Sequence, residues 1–138
     1  MKTILSLFTV IVLFTSCEVE GELTRDIVEE EVSNDAVLRF TGTFNPTSGI
    51  SGSGMVKIYQ LGNAYTLKLE DYSITPGPDL KVYLSKTDSP SDFVNLGNVN
   101  PDLIYSIPQQ VNLADYPYVL IHCQQYNHLF AIAALQSN

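Results

Sequence analysis

From Ala36 to the end, the chain is a succession of short runs with apolar side chains at every second position, and this period most constrains the fold. Successive side chains of a strand point to opposite faces, so such runs build sheets with one packed and one solvated face. Gly54–Tyr59 sets Val56 and Ile58 against Lys57 and Tyr59. Tyr65, Leu67 and Leu69 oppose Thr66 and Lys68, while Leu80, Val82 and Leu84 oppose Lys81 and Tyr83. Gly62-Asn63 joins the first two runs as a predicted hairpin. Further strands are predicted at Ala36–Phe44, Phe93–Leu96 and Leu103–Ile107, and the longest signal runs from Tyr118 to Leu135. Asn45-Pro46-Thr47-Ser48-Gly49, Pro76-Gly77-Pro78 and Pro108 punctuate them. A composition with 8 Tyr and 6 Phe agrees. The expectation is an all-β protein: a single antiparallel β-sandwich, or small barrel, of about seven or eight short strands.

The N-terminus reads as an address. Lys2 precedes an apolar run from Ile4 to Phe14, and Thr15-Ser16-Cys17-Glu18 follows. A basic start, an apolar core and a small-residue exit describe an export signal, too short to span a bilayer comfortably. Leu13-Phe14-Thr15-Ser16-Cys17 resembles the lipobox of bacterial lipoproteins, whose Cys becomes the lipid-modified first residue. Here Phe14 stands three residues before the Cys, where Leu is usual, and Leu13 is one step earlier. The same bulky Phe14 fits ordinary signal cleavage worse. An uncleaved apolar anchor is the alternative. The expected division is a signal peptide at 1–16, an acidic tether at 17–35 with lipid attachment at Cys17, and a β domain at 36–138. The membrane is then a partner through Cys17. The expected location is the cell envelope, lipid-anchored and extracytoplasmic, on an outer membrane or cell surface.

Between Glu18 and Asn34 the segment EVEGELTRDIVEEEVSN is too acidic to bury much apolar surface and reads as a solvated spacer. Leu23, Ile27 and Val28 leave room for a transient helix, and an acidic docking strip is the functional alternative. Across the chain 7 Lys and Arg face 15 Asp and Glu, a net charge of −8. That balance argues against nucleic acid and against electrostatic docking on anionic lipid.

With Cys17 lipidated, Cys123 is the one remaining thiol, so an internal disulfide and a C-x-x-C dithiol cycle are both excluded. Hairpin parity relates this thiol to a histidine. A two-residue loop, Gln124-Gln125, sets Cys123 opposite Tyr126, with His128 diagonal on the same face. A four-residue loop, Gln124–Asn127, sets Cys123 directly opposite His128. Gln-Gln suits a tight primed turn poorly. In either case an imidazole beside the thiol could accept its proton and leave a nucleophilic thiolate. The plain alternative is that this face is core, Cys being among the most buried residues.

Several fragments, in order, resemble the DM-thirteen domain, a β-sandwich family often found with DOMON modules. They are Gly42-Thr43-Phe44, Ser51 to Ile58, Leu67 to Tyr72, Gly77-Pro78-Asp79-Leu80-Lys81-Val82-Tyr83-Leu84-Ser85, and Val119 to Tyr126 with Phe130, Ala133 and Leu135. The Gly77–Ser85 string and the spacing from Cys123 to Tyr126 and Phe130 are the specific parts. The resemblance covers about residues 38–136 and implies a redox or electron-transfer role through the Cys matched by Cys123. This chain has His122 where the family usually has Trp, His128 where it has an aliphatic residue, and Ala131 where it has Gly. The His often seen near Thr47–Gly49 is missing.

Copper is disfavoured because His122 and Cys123, being adjacent in a strand, point to opposite faces, and no Met follows His128. Haem would need Met55 and a His lining one pocket, and Met55 reads as filling a core gap. Zinc lacks ligand spacing, and the carboxylates of Asp88, Asp92, Asp102, Glu70 and Asp71 match no calcium loop. Asp79 reads as a turn residue whose carboxylate accepts backbone N–H bonds. No metal or cofactor is therefore assigned, and no catalytic triad, nucleophile elbow or phosphate loop is found. The sequence-level reading is a lipid-anchored extracytoplasmic domain with a redox role at Cys123 and His128, meeting an unidentified protein partner. The alternative is a binding or assembly module that presents tyrosines such as Tyr59 and Tyr83, with Cys123 only packing.

Overall fold

A computed structural model describes residues 31–138. The predicted signal peptide, Cys17 and most of the acidic tether lie outside the described residues. Nine strands follow in chain order: β1 (Val37–Pro46), β2 (Met55–Leu61), β3 (Ala64–Glu70), β4 (Leu80–Ser85), β5 (Phe93–Asn98), β6 (Ile104–Ile107), β7 (Tyr118–Cys123), β8 (His128–Ala134) and β9 (Gln136–Ser137). The helical content among the described residues is one 3-10 turn at Leu113–Asp115.

All strands pair antiparallel, in the order β5-β4-β7-β8-β1-β2-β3-β6, with β9 added beside β1. The all-β antiparallel expectation holds, and the sheet curls until β5 and β6 approach each other, giving a nearly closed barrel. β1 belongs to both halves. Val37–Thr43 pairs with β2, whereas Phe44–Pro46 pairs with β8. Gly42 sits beside this handover, where an added Cβ would lie 2.8 Å from the Ala134 carbonyl oxygen.

The interior is filled by the alternating residues read from the sequence. Val56 and Ile58 of β2, Leu67 and Leu69 of β3, Val82 and Leu84 of β4, and Val119 and Ile121 of β7 are all buried. Each contributes on the order of 1.5–3 kcal/mol by leaving water. Met55, by contrast, is next to inward-facing Val56 and so faces outward; it is half-buried in a groove with Thr43 and Ala134 rather than filling a core gap.

Strand polarity sorts the loops onto two ends. β1 starts at one end together with the β2–β3 and β4–β5 turns. The other end gathers the loops 47–54, 71–79 and 99–103 and the turn 124–127. There Ser51 and Ser53 pair with Thr75 and Ser73 through both backbone and hydroxyl bonds of 2.8–3.3 Å. A Cβ on Gly52, whose φ is +112°, would stand 2.1 Å from the Ser73 carbonyl oxygen. Only glycine allows these two loops to close.

Candidate redox site

The β7–β8 hairpin has the four-residue turn, Gln124–Asn127, and Cys123 pairs directly with His128. Asn127 takes a left-handed φ of +48°, which Asn tolerates better than most side chains, and its N–H donates to the Gln124 carbonyl at 3.3 Å. Further along, the register slips by one residue. His122 pairs with Leu129 but Ile121 with Ala131, so Phe130 is a bulge residue. The slip brings both Ala131 and Phe130 into the core.

Cys123 is wholly buried, with Leu80 opposite it on β4 and His128 opposite on β8. Over this corner lies the loop Pro76–Asp79. The Asp79 carbonyl accepts the Gln124 N–H at 3.0 Å and so ties the loop to the hairpin turn. A Cβ at Gly77 would lie 2.9 Å from Leu80 Cδ2 and 3.1 Å from two Phe130 ring carbons. Glycine is what lets the loop rest on Leu80, the partner of Cys123 on β4, and on Phe130. The Asp79 carboxylate pairs with Lys81 Nζ at 2.8 Å instead of accepting backbone N–H bonds, which corrects the sequence-based expectation.

His128 is exposed, its ring 5.1 Å from that of Phe130 at an interplanar angle of 66°. The predicted pair is thus brought together across the ladder, with the thiol enclosed and the imidazole at the solvent rim.

His122 behaves differently. It points to the outer face of β7 and is nevertheless 4% exposed. Its ring lies 5.3 Å from that of Tyr83, which in turn stacks on Phe93 at 4.0 Å. Neither ring nitrogen has a hydrogen-bond partner among the described residues. Burial holds the imidazole below its usual pKa; nearby Asn127 opposes this, and His128 adds to it. Neutral imidazole is the favoured form. Leu120 is also fully buried on this outer face, and Tyr83 is 1% exposed. Tyr83 therefore offers no exposed binding surface, a correction to the alternation argument, and Tyr59 is only half-buried. Tyr126, in the hairpin turn and 66% exposed, is the tyrosine that stands out into solvent.

The other candidate ligands are scattered. No group of three or more His, Cys, Asp or Glu among the described residues is placed to hold a metal ion. Glu70 is engaged with Lys57 at 2.6 Å, and Asp92 with Lys86 at 3.2 Å. Met55 faces its own groove, away from the surroundings of either histidine, so the pairing that haem would need is not assembled.

A family model described as Electron transfer DM13 matches residues 43–135, which is more than half of the 138-residue chain. The chain belongs to the DM13 family. No curated protein and no solved structure matches it. The DM13 span begins at Thr43 and so omits most of the β1 segment that pairs with β2, and it omits β9. It contains every loop of the end that carries Cys123.

Sequence reasoning named Gly77, His122 and Phe93 but gave none of them a structural part in the site. The available signal was the outward row Tyr83, Leu120 and Ile132, too apolar for a wet face.

Proposed function

We propose that this DM13 domain is a lipid-anchored, extracytoplasmic electron-transfer module whose redox group is the Cys123 thiol, with His128 as its proton acceptor. The observation that carries the reading is the Cys123–His128 rung, the last of the β7–β8 ladder, next to an exposed four-residue turn. Because Cys123 is 0% exposed, reaction requires that terminal rung to open. Proteins open locally at free energies below that of global unfolding, and this rung borders an exposed turn. Once open, the thiol loses its proton to His128, and the thiolate attacks one sulfur of a partner disulfide. A mixed disulfide forms, and the partner's second sulfur leaves as a thiolate that takes up the proton. The partner disulfide is thereby reduced at one sulfur and Cys123 oxidised.

The anchor part of the reading rests on Lys2, the apolar run Ile4–Phe14 and Cys17. It gains from the polarity of β1. The chain arrives at the end where Val37 begins the strand, and Cys123 lies at the end where Pro46 finishes it, about 30 Å away at 3.3 Å per residue. A tethered domain would hold its redox end away from the lipid.

The complete burial of Cys123 favours a second reading, in which the thiol is packing and the domain binds a partner through its surface. One experiment separates the two: alkylation of Cys123 in the full-length chain, folded and denatured, from pH 5 to 9, with Cys123→Ala as the blank. The redox reading expects folded-state labelling within minutes at neutral pH, and slower labelling in His128→Leu. Labelling that appears only on denaturation, at the same rate in both proteins, overturns it and leaves the binding reading.

A further inference from the structure

A cavity of about 380 Å³ opens between the loop 72–80 and the end of β5, on the far side of Leu80 from the Cys123 thiol. Its volume is at the lower end of what small-molecule sites use. Ile74, Pro76, Pro78, Leu80 and Val99 give it apolar walls, and Tyr72 lines it with them. The wall is held in place: Gly77 is fixed against Leu80 and Phe130, the Val99 N–H donates to the Leu80 carbonyl at 2.9 Å, and Thr75 is bonded to Ser51. A preformed wall of this kind avoids the ordering cost that weakens binding.

The polar chemistry sits at Asp79 and Asn98. Lys81 Nζ contacts Asp79 Oδ1 at 2.8 Å and also donates to Asn98 Oδ1. With its amide oxygen committed to the ammonium, Asn98 has its NH2 left to donate, and Asp79 has its second carboxylate oxygen left to accept. One donor and one acceptor therefore stand at a partly open cleft that has apolar side chains in its walls. A hydroxyl satisfies both at once, whereas a carboxylate meets repulsion from Asp79 and a ketone finds only the donor. A polyhydroxylated sugar would leave hydroxyls unpaired against the prolines, at a cost for each.

We infer that this cavity is a binding site for a small phenol, a flat ring resting on Pro76 and Pro78 with its hydroxyl donating to Asp79 and accepting from Asn98. The inference is independent of the thiol reading, because the site uses no atom of Cys123 and its occupancy is measured without redox chemistry.

The test is an NMR titration of the isotope-labelled full-length chain with 4-methylphenol, and with toluene as the ring lacking a hydroxyl. The expected result is saturable shifts confined to Tyr72–Leu80 and Asn98–Val99, with toluene at least about tenfold weaker. Asn98→Ala should weaken 4-methylphenol about tenfold and leave toluene unchanged. Val99→Trp, which fills the space from a half-buried position, should abolish both, with unshifted β2–β3 signals reporting an intact fold. The inference is overturned by shifts that do not saturate, by shifts centred elsewhere, or by toluene binding as tightly as the phenol.

Discussion

Cys123 and His128 face each other across the last rung of one hairpin, yet one is sealed in the core and the other stands at the solvent rim. The rung faces inward, but it is the last one, and the covering loop reaches Leu80 and Phe130 without covering the imidazole.

The enclosure of Cys123 sets the order of two substitutions. Cys123→Ala leaves a small void and should cost about 1 kcal/mol. Cys123→Ser puts a hydroxyl among Leu80, Ile121 and Phe130, and should cost about 1–3 kcal/mol. Urea unfolding midpoints of the two variants, with unchanged m-values, would check the ranking.

Gly52 and Gly49 provide a matched pair. Both have positive φ, but a Cβ at Gly52 would meet the Ser73 carbonyl at 2.1 Å, whereas at Gly49 nothing lies within 4 Å. Gly49→Ala should cost about 1 kcal/mol of backbone strain alone. Gly52→Ala must also break the Ser51–Thr75 and Ser53–Ser73 pairing and should cost about 3 kcal/mol or more. Loss of amide protection at Ser73 and Thr75 in the second variant only is the expected hydrogen-exchange result.

His122 gives stability a pH dependence of definite sign. Its folded-state pKa is lowered by burial, so as pH falls through about 6.5 the unfolded chain takes up a proton that the folded chain resists. Stability should fall with decreasing pH, by up to about 1.4 kcal/mol per unit, until the folded-state pKa is reached. His122→Phe keeps a ring against Tyr83 and removes the proton site. It should flatten the profile between pH 5 and 7 in urea titrations.

At the alkaline end the most strongly shifted group is Tyr72, with Tyr83 and Tyr105 also raised by burial. The Tyr72 hydroxyl has no partner among the described residues, and burial, helped by Tyr105, pushes its pKa up to about 12. An unfolded tyrosine ionises near 10, so the folded state loses stability as pH rises above 10. Absorbance at 295 nm should show most tyrosines ionising first. The last step should shift to lower pH in urea, and lose one tyrosine's amplitude in Tyr72→Phe.

Much of this architecture was legible in the sequence. Seven or eight strands followed from period two and the turn residues between them, and the four-residue reading of Gln124–Asn127 put Cys123 opposite His128. The bulge at Phe130 was not legible, because it is decided by the core accepting both Phe130 and Ala131, which depends on packing across the barrel. Nor was the burial of Tyr83 and His122. Alternation assigns a side chain to a face, but whether that face is wet depends on what the neighbouring strands lay over it, here Phe93 of β5 stacked on Tyr83 of β4. The two-residue β9 carries too few residues to show any period.

The sharing of β1 between the two halves of the sheet has a kinetic meaning. Val37–Thr43 can pair with β2 as soon as residue 61 is available, but Phe44–Pro46 must await β8, some ninety residues further along the chain. Loop closure over such a distance is slow relative to local hairpin formation. A ribosome delivers the N-terminus first, so the first strand made is among the last to be completed. Until β8 arrives, β1 exposes a bare edge, and the chain is most open to pairing with another copy of itself in the interval before its final hairpin forms.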